Sequence, residues 1–440
     1  MKNRLITAAV GAALLSVAYV PLTHAQSSEL EQLKAQLQAL TAKVEQLEKE
    51  QKAQAETADK TLDAVAQTRT NVGEWVGRFQ WKGDLRYRNE TIDQEFVAQQ
   101  RNRDRIRLRG GFFARVNDTL RVEVQMTTDE AIGGNGDARS SNVTLSDANS
   151  RKRLDLDTAY AEWTPNANFR VTFGKMRYPW LRPTGSLFFD GDINPEGAGI
   201  TWQQGTNGLF ATAFWTQLAE RAAMADSTLA GAQFGWRNDI APGTRLTLAA
   251  AYFDHGAALG YNPFQNADVA NAFGNSTTTS AAICRPGIAA CLLNDFNVIE
   301  AFGELAVSLA GKPLSFYVDY AKNNEANASP ISDQSLDTAY AVGLQFGRVA
   351  NAHSWEVGYI YQHIENDALF GQWVDSDFGA GNTGSQGHVF KFGYGFARNF
   401  RINGTYFWNE TNIDVPVTIG GAPVVDRKYH RLQLDLNMTF

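Results

Sequence analysis

The last twelve residues alternate strictly in polarity: Tyr429-His430-Arg431-Leu432-Gln433-Leu434-Asp435-Leu436-Asn437-Met438-Thr439-Phe440. Side chains along a strand point to opposite faces with period two. Leu432, Leu434, Leu436, Met438 and Phe440 therefore share one face, and Arg431, Gln433, Asp435, Asn437 and Thr439 the other. Segments upstream repeat the pattern, from Phe79, Trp81, Gly83, Leu85 and Tyr87 to Phe400, Ile402, Gly404, Tyr406 and Trp408. Most are long enough to cross a bilayer, which takes a tilted strand of roughly 9–11 residues. Hydrocarbon offers no partner to an open sheet edge, so strands of this kind must close on themselves. The fold expected is all-β, a transmembrane antiparallel β-barrel of about 16 strands.

The connections support this. Short turns are expected at 117–118, 164–168, 205–208, 238–243, 310–313, 348–352 and 398–399. Long loops are expected between them, at 89–102, 129–152, 179–197, 219–227, 255–294, 323–335, 366–386 and 410–428. Membrane barrels place short turns on the periplasmic side and long loops outside. An even strand count then returns both ends of the barrel to the periplasm.

Mean hydropathy is −0.31. Beyond the N-terminus no apolar window of about 18 residues occurs, which excludes a helical span but not a barrel. Lys2 and Arg4 precede the apolar run from Leu5 to Val20, and Thr23-His24-Ala25 is a small-residue end. Residues 1–25 are expected to be a signal peptide; the run is too short for an anchor. Loss of its two positive charges takes the net charge from −7 to −9. Leu30, Leu33, Leu37, Leu40, Val44 and Leu47 follow at alternating spacings of three and four. That is an a/d heptad seam, narrow enough to require like helices from other copies. The domains expected are a periplasmic α-helical coiled coil at 26–72, ended by Asn71-Val72-Gly73, and the barrel at 73–440.

Cys284 and Cys291 lie close together in the long loop at 255–294, and 283–292 holds no His or acid. In an exported chain this predicts a local disulfide and no metal site. The six His do not sit beside a serine at strand spacing, and His363 continues the apolar phase of its strand. No catalytic constellation is read, so no enzyme and no cofactor are expected.

One face of the second strand carries Arg101, Arg103, Arg105, Arg107, Arg109 and Arg115. Lys82, Arg86, Arg88, Arg121, Arg170, Arg401 and Arg431 hold the same phase elsewhere. Arg86, Arg105, Arg107, Arg109, Arg115 and Arg121 are the expected pore-lining set, with Arg101 and Arg103 in or near the first loop. Guanidiniums about 6–7 Å apart along a strand either lower the energy of an anion in the bore or pair with acids. Asp84, Asp104, Glu123, Asp155, Asp157 and Asp435 are available for that. The loop at 179–197 is too apolar for water, with Trp180, Leu181, Leu187, Phe188, Phe189 and Ile193. It is expected to fold inward and carry Asp190, Asp192 and Glu196 to the lumen as a constriction opposite the arginines. Packing on a neighbouring subunit is the other reading.

Several stretches resemble the putative-porin family of Gram-negative bacteria. They are Gly83-Asp84-Leu85-Arg86-Tyr87-Arg88, the run Arg101 to Arg109, Ala114-Arg115-Val116-Asn117-Asp118, Asp157 to Trp163, Phe173-Gly174-Lys175-Met176 and Asp192 to Gly197. Phe440 resembles the final aromatic residue of outer-membrane proteins, part of their assembly signal. The family is similar in architecture to phosphate- and polyphosphate-selective porins, which carry a periplasmic coiled coil and form trimers. The resemblance implies an outer-membrane porin for passive diffusion of small hydrophilic solutes, with anion preference one reading of the arginines. The alternative is a structural anchor that tethers the envelope through the coiled coil. The partners implied are outer-membrane lipid and lipopolysaccharide, further copies in a homotrimer, and peptidoglycan; nucleic acid is not among them.

Overall fold

The computed structural model describes residues 26–130, 136–146, 148–264, 272–327, 329 and 335–440. The expected signal peptide lies outside them. The chain divides into two units, ending and starting at Gly77 and Arg78.

The first unit's described part is one α-helix, Gln26–Gly77. It runs past Asn71-Val72-Gly73, where an end was expected, because a lone glycine costs a helix only about 1 kcal/mol and no proline follows. Leu33, Leu37, Leu40 and Leu47 are more than half exposed. Within the described residues nothing covers the heptad seam, so one chain forms a single helix and no coiled coil.

The second unit is a barrel. Its strands are β1 (Phe79–Gln94), β2 (Arg101–Arg115), β3 (Leu120–Asp129), β4 (Arg153–Asn166), β5 (Phe169–Lys175), β6 (Glu196–Gln203), β7 (Gly208–Ala219) and β8 (Ser227–Ala241). The ring continues with β9 (Thr244–Gly256), β10 (Asn297–Leu309), β11 (Lys312–Asn323), β12 (Thr338–Gly347), β13 (Trp355–Ile364), β14 (Ser385–Ala397), β15 (Phe400–Thr411) and β16 (Arg427–Thr439). Each pairs antiparallel with the next, and β16 pairs antiparallel with β1. The sixteen described strands thus form a closed barrel.

Closure is sealed at the C-terminus. The Gly83 amide donates to the Phe440 carbonyl at 2.9 Å, and the Phe440 amide donates back to the Gly83 carbonyl at 3.0 Å. The Phe440 ring lies over Gly83, where an added Cβ would come within 2.4 Å of it. Only glycine leaves room for that ring.

The burial pattern is inside out, as a membrane barrel requires. On β16, Leu432, Leu434, Leu436 and Met438 are exposed on the outer wall, and Arg431, Gln433, Asp435 and Asn437 are buried. Trp81, Phe173, Trp215, Phe234, Phe316 and Phe392 continue the apolar exterior. The connections alternate as the sequence suggested. The turn between β10 and β11 is the pair Ala310 and Gly311, both left-handed at φ 51° and 72°, the twist a two-residue hairpin needs. The first long loop is tighter than expected, 95–100, because β1 and β2 extend further. Arg101 and Arg103 are therefore strand residues, paired with Ile92 and Glu90.

Gly83→Val should lower the yield of folded barrel in detergent refolding, read as the heat-modifiable gel band. An unchanged yield would show that the seat of the Phe440 ring is not needed for closure.

Candidate pore constriction

Alternation sends Asp84, Arg86, Arg88 and Glu90 of β1 inward, with Arg103, Arg105, Arg107 and Arg109 of β2 and Arg431, Gln433 and Asp435 of β16. The register sets Arg86 opposite Arg107 and Arg88 opposite Arg105. Like charges directly opposed are destabilising, so acids must intervene. Asp435 receives two bonds from Arg88, at 2.7 and 2.9 Å, and lies 3.7 Å from Arg86. Asp84 receives two from Arg107, at 2.9 and 2.7 Å. Glu90, fully buried, takes Arg103, takes Arg431 at 2.5 Å and lies 3.8 Å from Arg105. Arg105 also reaches Glu130 at 3.1 Å.

Two long loops complete the pairing. The loop 176–195 crosses the lumen. Trp180 stacks on Phe214 of β7 at 4.4 Å and meets Phe253 of β9 edge-on at 5.3 Å. The Gln233 amide clasps both backbone groups of Leu181 at 2.8 Å. Ser186 donates to Asp319 of β11 at 2.8 Å, and the Thr184 amide to Glu304 of β10 at 2.9 Å. At the other wall Asp192 accepts Arg109 at 2.7 Å. Asp157, at an irregularity in the β3–β4 pairing, lies 3.5 Å from Arg109.

The loop 365–384 also folds inward, which the sequence reading did not anticipate. Trp373 stacks on Trp180 at 6.0 Å, and Phe370 and Phe378 are buried. Asp377 meets Arg431 at 2.8 Å and Arg88 at 3.4 Å. The signal was present: Leu369, Phe370, Trp373, Val374 and Phe378 make this loop as apolar as 179–197.

The loops carry the same device, Asp190-Gly191-Asp192 and Asp375-Ser376-Asp377. In each, the second aspartate meets the arginine wall. The first turns to backbone: Asp190 accepts the Ser376 amide at 2.8 Å and the Asp192 amide at 2.8 Å. Asp375 accepts the Asp377 and Phe378 amides at 3.0 and 2.9 Å. The Asp190 amide donates to the Trp373 carbonyl at 2.7 Å, so the loops are bonded to each other. Two further loops brace them. Ser141 donates to Asp192 at 2.9 Å, and Arg139 donates to the Gly381 carbonyl at 2.8 Å while standing over the Phe273 ring. Asn275, from the long loop that also carries the Cys284–Cys291 disulfide, donates to the Asn366 and Leu369 carbonyls.

The network balances. Its arginines are Arg86, Arg88, Arg103, Arg105, Arg107, Arg109 and Arg431. Its acids are Asp84, Glu90, Glu130, Asp157, Asp192, Asp377 and Asp435. Seven charges of each sign sum to zero. Of the expected pore-lining set, Arg86, Arg105, Arg107 and Arg109 sit in this paired wall. Arg115 and Arg121 stand apart, near the turn joining β2 and β3. The acidic loop does not stand off from the arginines across an open bore; Asp192 touches them. Glu196 is a correction: it opens β6 in the outward phase of Ala198, Ile200 and Trp202, is 64% exposed and pairs with Lys175 at 2.8 Å. The loop turns back into the wall at Pro195, one residue before it.

Burial, then the Arg109, Arg107 and Arg86 charges, act oppositely on Asp192, and the arginines win, holding its pKa well below the usual range. Asp377 is held low by Arg431 and Arg88 against the same penalty. Burial pushes Asp375 up to about 6, with Asp377 adding. Burial and Asp375 also raise Asp190. A solvent-open cleft of about 720 Å³ lies beside the loops, with Arg182, Asp375 and Lys391 as its charges.

A closed barrel with a charged interior, an apolar exterior and loops folded into its lumen defines an outer-membrane channel. The chain matches the family described as "Putative porin" over residues 93–301 and 289–440. It belongs to that family, and is an outer-membrane porin. No curated protein matches it in sequence. Among solved structures, OprB of Pseudomonas putida at high pH aligns with a TM-score of 0.53 at 10% identity, over 85% of this chain and 96% of that one. The trimer form of OmpT from Vibrio cholerae gives 0.42 at 13%, over 82% and 99%. A triple mutant of Rhodopseudomonas blastica porin gives 0.43 at 11%, over 82% and 100%. The likeness is one of fold, and OprB carries it.

The raised pair Asp190 and Asp375 sets a pH dependence. A carboxyl raised on docking favours the docked state while protonated, and that contribution is lost as pH rises through the raised value. The Arg-paired Asp192 and Asp377 stay ionised across this window. Corrected for chemical exchange rates, deuterium uptake at 187–193 and 370–378 should be lower at pH 5 than at pH 7.5. The difference should vanish in Asp190→Asn/Asp375→Asn; if it persists there, other groups set it.

Proposed function

We propose that this porin is a passive-diffusion channel for small hydrophilic solutes, its bore narrowed by the loops 176–195 and 365–384. The observation that carries this is the bracing of both loops between opposite walls, by apolar rings at one end and Asp–Arg pairs at the other. Breaking a fully buried pair costs about 3–5 kcal/mol; these part-buried pairs cost less, and act together with the apolar packing to hold the loops to the wall. A fixed constriction selects by size. Full-length protein in planar bilayers should give stepwise conductance, and deletion of 187–193 should raise the step while the barrel stays heat-modifiable. An unchanged step would place the narrowing elsewhere.

The helix Gln26–Gly77 serves, on this reading, as a periplasmic oligomerisation arm. Leu33, Leu37, Leu40, Val44 and Leu47 form an exposed stripe that only like helices would cover. A homotrimer fits that stripe, and barrel contacts with lipid and lipopolysaccharide fit the apolar exterior. Leu37→Cys should cross-link chains in intact outer membranes under mild oxidant, while Glu48→Cys, off the seam, should not. Equal cross-linking of the two would count against a seam-to-seam contact.

A further inference from the structure

A charge that is paired within the wall contributes little at a distance, because its field is cancelled by its partner. The ladder is such a wall. Arg107 and Arg88 also spend two donors each on a carboxylate, Asp84 and Asp435, while the buried Nε of Arg105 and of Arg109 have no hydrogen-bond partner among the described residues. A passing anion would have to displace a carboxylate.

Another set of cations faces the same lumen. Lys82 on β1, Arg115 on β2, Arg121 on β3 and Arg401 on β15 hold the inward phase, all in the half of the wall nearer the short turns. Among the described residues none of the four makes a salt bridge. Lys82 stands over the Phe113 ring at 4.5 Å and is exposed. Arg115 and Arg121 are direct cross-strand partners, both exposed. Glu162 is the next residue in that row, and it is shared with Arg170 at 3.9 Å. Across the lumen the acids of this half, Glu304 and Glu356, accept the Thr184 and Val349 amides at 2.9 and 3.1 Å. Arg237 on β8 lies on that side too, in one row with Glu304 through Thr247.

We propose that Lys82, Arg115, Arg121 and Arg401 are the channel's anion-recognition station, and that the buried ladder is not. This rests on the chain being a diffusion channel. Two guanidiniums facing each other across one rung repel, and an oxyanion between them removes the repulsion while accepting forked bonds from both. The solutes that fit are small anions presenting carboxylate or phosphate oxygens. Exposure keeps the desolvation penalty small, so binding stays weak enough for release, which conduction requires.

The test is the reversal potential of full-length protein in planar bilayers under a KCl gradient. Wild type should favour chloride. Neutralising the station (Lys82→Gln/Arg115→Gln/Arg121→Gln/Arg401→Gln) should lower the chloride-to-potassium permeability ratio several-fold, with the barrel still heat-modifiable. Removing a ladder pair (Asp84→Asn/Arg107→Gln) should move the ratio far less. Inorganic phosphate and acetate, added separately, should each reduce chloride current in wild type, and less in the station variant; the more effective one names the preferred oxyanion. A wild-type ratio retained by the station variant, or an equal shift in the ladder variant, overturns the proposal. A folded wild type that conducts but favours potassium also overturns it and leaves the channel reading intact. A folded wild type that does not conduct overturns the channel reading itself.

Discussion

Hydrocarbon cannot accept a hydrogen bond, and this constraint organises the molecule. Each backbone group in the wall must find another strand, so the ends of the sheet must meet. They do so where Phe440 and Gly83 exchange backbone bonds and the terminal ring lies over a residue without a side chain. With lipid on the outer face, polar side chains can go only inward. The lumen becomes the one place where charge can collect, and the alternation of β16 states that division in a dozen residues.

Charge collected there must be neutralised. Opposed arginines at Arg86–Arg107 and Arg88–Arg105 would repel across rungs of the sheet. The acids between them come from β1, β4, β16 and three loops. The loops therefore do more than obstruct. Asp192 and Asp377 supply two of the seven carboxylates that balance the wall, and the wall in turn holds the loops at fixed positions. At their other ends, Trp180, Phe188 and Trp373 sit in an apolar cluster with Phe214 and Phe253. Each loop thus spans from an apolar wall to an ionic one.

Much of this was legible in the sequence, and the parts that were not share a cause. Strand alternation and the rhythm of short and long connections depend on neighbours in the chain, so they could be read. The apolar loop at 179–197 could be read for the same reason, and so could the loop at 365–384, had its Trp373 and Phe378 been weighed likewise. Pairing could not be read. Arg88 and Asp435 are 347 residues apart in the chain and adjacent only because the barrel closes. The ladder consequently looked like free charge. Glu196 failed on a finer point, for a residue at a strand's first position takes an inward or outward phase that depends on where the loop rejoins the wall. Arg101 and Arg103 failed similarly: both hold the inward phase, but where β2 began was not evident.

The neutral network and the unpaired cations separate two properties that a single constriction would combine. A wall with balanced charge can narrow a bore without imposing a net sign on what passes. Lys82, Arg115, Arg121 and Arg401 lie outside that balance, in the half of the wall nearer the short turns. There the lumen is lined by exposed side chains and the water that screens them also lets an ion leave. On the proposed reading the loops set how large a solute can be, and the turn-side cations set which charge is favoured. Because the two groups of residues share no salt bridge, a substitution in one can change its property with little effect on the other. That independence rests on the pairing geometry, since substitutions at well-separated sites that share no partner usually add.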